Sequence, residues 1–269
     1  MENGLLGFPG QRTARTIIAD PPAGAARNLR VDNDGTAPNT IVNITASEIV
    51  LQDARFDSIT ARNVSVSLDT TVAGYGGMES GLTVANSTWY ARHVIANPLT
   101  GQVKGLWSAS ATAPILPAGY TFWAFTGWHR TNGSALLHRI MQRDRRTQYV
   151  VSAAVTTGLF QIVSSLSSAG AWAAASVSAA VPSTATAIGL VPGSTNQASA
   201  NYSALAPNNN YPLPGGVGIV GTPYYRQFNG AGVGAYAQDI VWMLLESTNV
   251  YWEANTSFNL WVMGWDEPA

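Results

Sequence analysis

The amino-acid sequence predicts an all-β fold, and three observations support that prediction. No segment of about a dozen residues places apolar side chains at the three- and four-residue spacing of a helix with capping residues at both ends. Apolar and polar residues instead alternate at two-residue spacing in many short runs, separated by some of the 26 glycines and 14 prolines. The 269 residues suffice for a large core without disulfides, and the chain contains no cysteine. We expect a β-sandwich of jelly-roll type behind a small N-terminal β region and an extended N-terminal arm.

Residues 1–80 are predicted to form a distinct unit for attachment and oligomerisation. Its first part, Met1–Gly24, contains so many glycines and prolines that we expect an arm or a set of turns, ordered only against a neighbouring protein. Val72–Gly77 is rich in glycine and is predicted to be a linker or hinge. It would lead into the second unit, the β-sandwich of residues 81–269.

Turn-forming residues separate the predicted strands. Asp34–Gly35 suits a tight turn, and Asn97–Gln102 has the proline and glycine placement of a hairpin loop. Gln142–Arg146 is interpreted as a solvated hairpin tip with Asp144 as the counter-ion of the arginines; contact with a partner's carboxylates or with phosphate is the alternative. Flat, uncharged strands are expected within Ser164–Pro207. The other expected strands are Leu29–Val31, Ile41–Ala46, Val64–Leu68, Trp89–Ile95, Val103–Ser108, Tyr120–Trp128, Leu136–Val150, Ile240–Leu245, Val250–Trp252 and Phe258–Trp265.

The final predicted strand is apolar on both faces. Strict alternation places Phe258, Leu260 and Val262 on one face. It places Trp261, Met263 and Trp265 on the other. Because an exposed apolar stripe promotes aggregation, this strand should be central in its sheet or covered by a second subunit.

Composition limits the classes of partner. Only 11% of residues are charged and the formal net charge is −1, so the basic surface that nucleic-acid binding requires is missing. With no signal-like N-terminal tract and no run of about 18 apolar residues, we expect no membrane insertion. Arginine supplies every cation except Lys104, and nine Trp and ten Tyr accompany few charges, which favours surfaces covered by other copies of the chain. A monomer with a large core and a Ser/Thr/Asn surface is the alternative.

No pattern in the chain indicates a cofactor or a metal site. Gly216–Gly221 has the spacing of a dinucleotide fingerprint, but a proline-rich loop precedes it where that fingerprint requires a strand. Asp32–Gly35 resembles part of a calcium loop, yet Arg30 stands where the first carboxylate ligand belongs. The histidines lack metal-ligand spacing and are interpreted as hydrogen-bonded strand residues: His93, His129 and His138.

Catalysis is not expected from this sequence. The chain has no Gly-x-Ser-x-Gly nucleophile motif and no thiol. Glycan cleavage needs two carboxylates facing each other across about 5–10 Å. The candidates are few, Glu246 with Glu253 or Asp266 with Glu267, and nothing in their spacing selects a pair.

One segment has the composition of a glycan-binding loop. Tyr224 and Tyr225 offer rings that stack on sugar faces, while Arg226 and Asn229 offer polar groups, and glycine-rich stretches flank the segment. Tyrosines are also enriched at subunit interfaces, so packing between subunits is the competing and favoured interpretation.

Several segments carry a resemblance to a known class of proteins. Between Asn86 and Val150 the sequence reads GLWSASATAP at Gly105–Pro114, LPAGY at Leu116–Tyr120 and GWHRTNG at Gly127–Gly133. It resembles a module of tailed-bacteriophage virion appendages, namely tail-fibre, spike and capsid-decoration proteins, in which GLLSTSATAPTLPSGY followed by a GAVRTDGS-like stretch is common. The looser part of the resemblance lies at Ala180–Ala187 and Met243–Trp252.

The resemblance implies a non-enzymatic structural role in a virion. We expect a tail-fibre, spike or capsid-decoration subunit that assembles as a homo-oligomer, with a trimer favoured, and docks onto neighbouring virion proteins through its N-terminal arm. Two alternatives stay open. One is host attachment by a module that recognises a surface glycan, and the other is a glycan depolymerase.

Overall fold

The fold is all-β, as the sequence predicts. A computed structural model describes residues 24–150, 159–194, 201–213, 224–228 and 240–268, and the described residues contain strands but no helix. Most of the predicted arm therefore lies outside the described residues. The strands are β1 (Ala26–Arg27), β2 (Arg30–Asn33), β3 (Ile41–Gln52), β4 (Ser58–Asp69), β5 (Trp89–Ala96), β6 (Val103–Ser108), β7 (Phe122–Arg130), β8 (Ile140–Arg143), β9 (Arg146–Tyr149), β10 (Phe160–Leu166), β11 (Ala173–Ser176), β12 (Ala187–Ser194), β13 (Asn201–Ala206), β14 (Tyr224–Phe228), β15 (Val241–Leu244), β16 (Asn249–Ala254) and β17 (Phe258–Asp266).

These strands form two antiparallel sheets. A 13-stranded sheet has the order β15-β12-β17-β9-β8-β2-β3-β7-β5-β6, with β1 and β4 paired to β3 and β10 paired to β17. A four-stranded sheet has the order β11-β16-β13-β14. Strands on both sides of residue 80 belong to the larger sheet, because β3 pairs with β4 and also with β7. Jelly-roll connectivity stays a prediction.

The N-terminal core is enclosed by strands of the larger sheet alone. In β3, alternate residues Val42, Ile44 and Ala46 are buried, as the two-residue periodicity predicts. β3 pairs with β4 over the full length of both strands. The members of this core are Leu29, Val31, Val42, Ile44, Ala46, Ile49, Leu51, Ala61, Val64, Leu68, Met78, Tyr90, Val94, Ala96, Trp107, Ala124 and Leu137.

The C-terminal core lies between the two sheets. It contains residues of β12 and β17 from the larger sheet and of β13 and β16 from the smaller one. Face-to-face sandwich packing of these strands stays a prediction. The members of this core are Ile140, Tyr149, Val163, Ala175, Val177, Ala180, Val181, Ile188, Leu190, Leu205, Met243, Val250, Trp252, Ala254, Phe258, Leu260, Val262 and Trp265.

The predicted hairpin loop at Asn97–Gln102 is confirmed. The Asn97 amide donates to the Gln102 carbonyl at 2.9 Å, and the Gly101 amide donates to the Asn97 carbonyl at 2.9 Å. Gly101 has φ of 71°, a left-handed conformation that glycine adopts without a steric penalty. The loop therefore sets the register of β5 with β6.

The predicted linker at Val72–Gly77 is wrong. The Asp69 amide donates to the Gly76 carbonyl at 2.8 Å, and the Gly76 amide donates to the Gly105 carbonyl of β6 at 2.7 Å. A Cβ at Gly77 would lie 2.1 Å from the Val72 carbonyl oxygen, so only glycine permits this close turn. The segment is thus a compact turn packed on β6.

The charged hairpin tip is confirmed, but its predicted counter-ion is wrong. The tip joins β8 to β9, and the Asp144 Oδ1 atom accepts a hydrogen bond from the Leu29 amide at 3.1 Å instead of pairing with an arginine. Arg143 pairs with Asp32 at 3.0 Å, and Arg146 pairs with Asp266 at 2.9 Å. The hairpin joins both parts of the sheet, because β8 pairs with β2 and β9 pairs with β17.

The final strand is central, as predicted, but the predicted face of Trp265 is wrong. β17 pairs with β12 on one edge and with β9 and β10 on the other. The β12–β17 ladder passes from Gly189 opposite Gly264 to Leu190 opposite Val262, which leaves Met263 unpaired in a bulge. Beyond this bulge the side-chain alternation reverses, and Trp265 lies fully buried in the C-terminal core.

Candidate functional site

The predicted glycan-binding loop is a strand. Residues 224–228 form β14, at the edge of the four-stranded sheet, where Tyr225 pairs with Ala204 and Arg226 with Ser203. The Tyr224 side chain is partly buried and packs against the C-terminal core. Asn229 lies outside the described residues. The prediction of a loop is therefore wrong for Tyr224–Phe228, whereas glycan binding by Tyr224, Tyr225, Arg226 and Asn229 stays a prediction.

A different part of the molecule forms a cavity with two indole rings in its wall. We call it the indole cavity; its volume is about 340 Å³. Its wall comes from the first residue of β5, from β7, from the turns between β11 and β12, and from the β15–β16 loop. The lining residues are Trp89, Trp128, Val177, Ser178, Val181, Pro182, Ser183, Ala185, Leu245, Glu246, Ser247 and Thr248.

Strand register places the two indoles side by side. In the β5–β7 ladder, Trp89 lies opposite Arg130 and Ala91 lies opposite Trp128, so both tryptophans belong to one face of the sheet. Trp89 packs edge-to-face on Trp265 at a centroid distance of 5.6 Å, and its Nε1 donates to the Ser178 carbonyl at 3.3 Å. The ring therefore joins the cavity wall to the C-terminal core.

The rim of the cavity is held by backbone hydrogen bonds. The Val177 amide donates to the Thr248 carbonyl at 3.0 Å, and the Leu245 amide donates to the Thr186 carbonyl at 2.9 Å. These bonds tie the turn after β11 to the β15–β16 loop. Val177 and Val181 are buried and form an apolar floor, whereas the hydroxyl-bearing residues of the rim are exposed: Ser178, Ser183, Ser247 and Thr248.

Glu246 is the single charged residue of the cavity lining. It is exposed, and its Oε2 atom accepts a hydrogen bond from the Asn208 side-chain amide at 2.6 Å. The lining thus combines aromatic rings, aliphatic carbons, hydroxyls and one carboxylate, with no cation. Such a surface suits an uncharged ligand with apolar faces and many hydroxyl groups.

A buried carboxylate, Glu267, bonds to the backbone of Trp128 in the cavity wall and to the side chain of Trp265 behind it. The Glu267 Oε1 atom accepts hydrogen bonds from the Trp128 amide at 3.1 Å and from the Trp265 Nε1 at 2.9 Å. Burial raises the pKa of Glu267, and these hydrogen bonds oppose that rise. Nearby Arg92 is fully buried, its pKa lowered to about 10 by burial, and it donates to Gln142 at 2.6 Å.

The structure gives a structural contact to each carboxylate that the sequence suggests for catalysis. Glu253 is buried and accepts hydrogen bonds from the Gly170 amide and the Tyr202 hydroxyl, both at 2.8 Å. Asp266 forms a two-pronged pair with Arg146, with both distances 2.9 Å. Glu246 and Glu267 have the contacts described above.

The three histidines are buried or half-buried strand and turn residues. His93 Nε2 lies 2.8 Å from the Ser110 carbonyl oxygen, and His129 Nε2 lies 2.7 Å from the His138 carbonyl oxygen. Burial lowers the pKa of all three, to about 4 for His93 and His138. Each histidine has a buried ring nitrogen without a hydrogen-bond partner in the structure, namely Nδ1 of His93, Nδ1 of His129 and Nε2 of His138, so the prediction of fully hydrogen-bonded histidines holds only in part. Within the described ranges, no three His, Cys, Asp or Glu residues lie close enough together to bind a metal.

An apolar groove lies at the far end of the β3–β4 hairpin. We call it the Phe56 groove; Phe56 is 74% exposed, and Asp53 is the only charged residue of the lining. It runs beside the Ala111–Pro114 segment that resembles phage appendage proteins. Its lining is Gln52, Asp53, Ala54, Phe56, Ala111, Thr112, Ala113, Pro114, Leu116, Trp123, Ala124 and Phe125.

Sequence reasoning missed the indole cavity because its two tryptophans lie on different strands. Trp89 and Trp128 become neighbours only through the β5–β7 register. The resemblance to phage appendages, which stays a prediction, indicated no cavity. All three segments of the phage resemblance contribute to the lining, through the two tryptophans, through Val181–Ala185 and through Leu245–Thr248.

Comparison with known proteins adds no relative. No protein-family model matches the chain, and a search of curated proteins finds no similar sequence. No helix in the described part of the chain is long and apolar enough to cross a bilayer.

Proposed function

We propose that this chain is a structural subunit of a tailed-phage or phage-like virion, either a tail-fibre or spike protein or a capsid-decoration protein. It assembles with copies of itself, with a trimer favoured, and docks onto neighbouring virion proteins through its N-terminal arm. The residues at Gly105–Pro114, Leu116–Tyr120 and Gly127–Gly133 support the assignment through their resemblance to such appendages. The all-β fold is compatible with it.

The Phe56 groove is the observation that carries self-assembly. Phe56 has φ of 67°, a left-handed conformation that costs a bulky residue of the order of 1–3 kcal/mol. Hydrogen bonds from the Arg55 and Asp57 amides to Asp53 Oδ1, at 2.8 and 2.9 Å, hold this turn. The strain presents a phenyl ring to solvent beside an apolar groove, an arrangement that a protein contact would bury.

A second copy of the chain is the partner that we propose for the groove. The lining has one charged residue, so charge complementarity plays little part in recognition. The exposed apolar residue Ile115, 59% exposed, extends the surface next to the groove. Burying these side chains against another subunit would stabilise the oligomer by about 25 cal/mol for each Å² of apolar surface removed from water.

Sedimentation of the full-length chain tests the proposal. We expect an oligomer at micromolar concentration, and at least about tenfold weaker self-association for Phe56→Ser. Leu99→Ser is the matched control, because Leu99 is 92% exposed on another hairpin away from the groove. A compact wild-type monomer at micromolar concentration and above, or an unaffected Phe56→Ser variant, would overturn self-assembly through this surface.

The virion location needs its own measurement. Antibodies raised against the purified protein, applied to intact particles from the organism that encodes the chain, should label an appendage or the capsid surface with regular symmetry. Absence of the chain from purified particles would refute the assignment even if the protein self-associates.

A further inference from the structure

We propose that the indole cavity binds an uncharged pyranose ring of a surface glycan. This inference goes beyond the structural role and stands on the geometry of the cavity alone. It places recognition in the indole cavity, and Tyr224 is not among the described residues of its lining.

Size and aromatic character are the first argument. About 340 Å³ falls within the range of small-molecule sites, and Trp89 and Trp128 both line it. One face of a pyranose ring presents C–H groups with partial positive charge, which the negative face of an indole attracts. Val177 and Val181 complete an apolar floor for that face.

The polar complement is the second argument. Ser178, Ser183 and Thr248 supply hydroxyls at the rim, and each can donate or accept a hydrogen bond with a sugar hydroxyl.

Charge is the third argument, and it selects the class of sugar. Glu246 is an acceptor for sugar hydroxyls, and the described residues of the lining include no cation to compensate an acidic sugar. A carboxylate on the ligand would meet the Glu246 carboxylate without a counter-ion, which is repulsive. The cavity therefore favours neutral hexoses over uronic or sialic acids.

Preorganisation is the fourth argument. The rim is tied by the Val177–Thr248 and Leu245–Thr186 backbone bonds, and Trp89 is fixed by Trp265 and by the Ser178 carbonyl. A cavity that is already formed loses little conformational entropy on binding. The site should therefore show the same affinity in the subunit and in the assembled particle.

Saturation-transfer NMR and tryptophan fluorescence titration of the full chain test the proposal. The probes are lactose, maltotriose, chitotriose and mannotriose, with sialyllactose as the charged match to lactose. We expect at least one neutral probe to bind and sialyllactose to bind at least about tenfold more weakly than lactose. Exposed Ser183→Trp should fill the cavity and weaken binding at least about tenfold without entering the core.

Three further variants separate the cavity from general surface effects. Trp128→Leu should abolish binding, whereas Trp123→Leu, on the same strand but in the Phe56 groove, should not. Glu246→Gln should reduce the discrimination against sialyllactose. Glu48→Gln is its control, a partly exposed carboxylate that pairs with Arg62 in the other part of the sheet, and it should leave the discrimination unchanged.

Failure of the proposal is distinct from failure of the proposed function. No binding to any neutral probe, or binding that survives both Ser183→Trp and Trp128→Leu, overturns the glycan site while leaving self-assembly untouched. Equal affinity of wild type for lactose and sialyllactose overturns the selection by charge. A Phe56→Ser monomer that still binds a neutral probe supports the cavity independently of assembly.

Discussion

The two cores of this protein contain similar numbers of buried hydrophobic residues, but they are built differently. The N-terminal core is built mainly on one sheet, in which β3 and β4 are twelve residues long, and β3 alternates between buried and more exposed residues over Ile41–Ala46. The C-terminal core lies between two sheets of mostly shorter strands, and four large aromatic side chains fill it, namely Tyr149, Trp252, Phe258 and Trp265. Long periodic strands thus specify the first core locally, whereas the second depends on ring contacts between segments far apart in the chain.

The largest expected contrast is between the buried tryptophans of the two cores. Trp265 contacts the rings of Trp89 and Tyr149 at 5.6 and 5.4 Å and donates to Glu267 at 2.9 Å. Trp107 contacts the His129 ring at 5.6 Å, and its Nε1 has no hydrogen-bond partner in the structure. Both alanine variants should lose about 3–5 kcal/mol in the free energy of unfolding measured with urea, with Trp265→Ala losing about 1–2 kcal/mol more.

A phenylalanine pair keeps this comparison measurable if an alanine variant does not fold. Trp265→Phe retains a ring but leaves Glu267 without one of its donors, whereas Trp107→Phe removes a donor that bonds to nothing. Trp265→Phe should therefore be the more destabilising of the two. Equal losses, or a larger loss for Trp107→Phe, would contradict the idea that the C-terminal core depends more on specific polar and ring contacts.

The second expected effect is loss of stability in acid. Burial lowers the pKa of His93 and His138 to about 4, below the usual value of 6.5, and that of His129 well below it. The unfolded chain binds protons first as the pH falls, so the stability from these neutral histidines is complete above about pH 6.5 and declines toward pH 4. Glu267, with its raised pKa, acts in the opposite sense but is a single group. Urea midpoints should be lower at pH 5 than at pH 7.5.

A substitution of His138, beside the C-terminal core, tests how much of this acid sensitivity comes from that histidine. His138 contacts the rings of Tyr149 and Phe160, and Arg130 adds to the lowering of its pKa. His138→Phe should reduce the difference between the two pH values by roughly a third, since it removes one of three such histidines. Ser134→Ala, at an exposed position on the preceding turn, should retain the full difference. An unchanged pH response of His138→Phe would show that another group titrates.

The smallest expected effect concerns the two ion pairs of the β8–β9 hairpin. Arg146 pairs with Asp266 beside the C-terminal core and lies 3.9 Å above the Trp242 ring, whereas Arg143 pairs with the more exposed Asp32 beside β2. Arg146→Ala should cost about 1 kcal/mol and Arg143→Ala less than about 0.5 kcal/mol in urea unfolding. High salt should reduce the difference between these two losses only in part, because the contact between Arg146 and the Trp242 ring persists. A larger loss for Arg143→Ala would reverse the comparison.

The sequence predicts the N-terminal core better than the C-terminal one, for physical reasons. Alternation at Val42, Ile44 and Ala46 specifies both strand and buried face, and the Asn97–Gln102 loop carries its own turn residues. The bulge at Met263 reverses the alternation before Trp265 and leaves no mark in the residue types. The sequence of β14 resembles that of a loop, because the residues of β14 alone do not indicate its pairing with β13.

The candidate site follows the same rule. Each lining segment of the indole cavity is short, and nothing in one segment indicates the others. Their meeting depends on pairing between β5 and β7 and on packing of the two sheets, which are properties of the whole chain.

The edge-to-face pair of Trp89 and Trp265 has a spectroscopic consequence. Two indole chromophores with centroids 5.6 Å apart and planes at 89° couple their electronic transitions. Their chiral arrangement should give a paired positive and negative band in the circular dichroism spectrum. One of these chromophores faces the cavity and the other is sealed in the core, so the couplet would report, without any label, when the cavity wall moves.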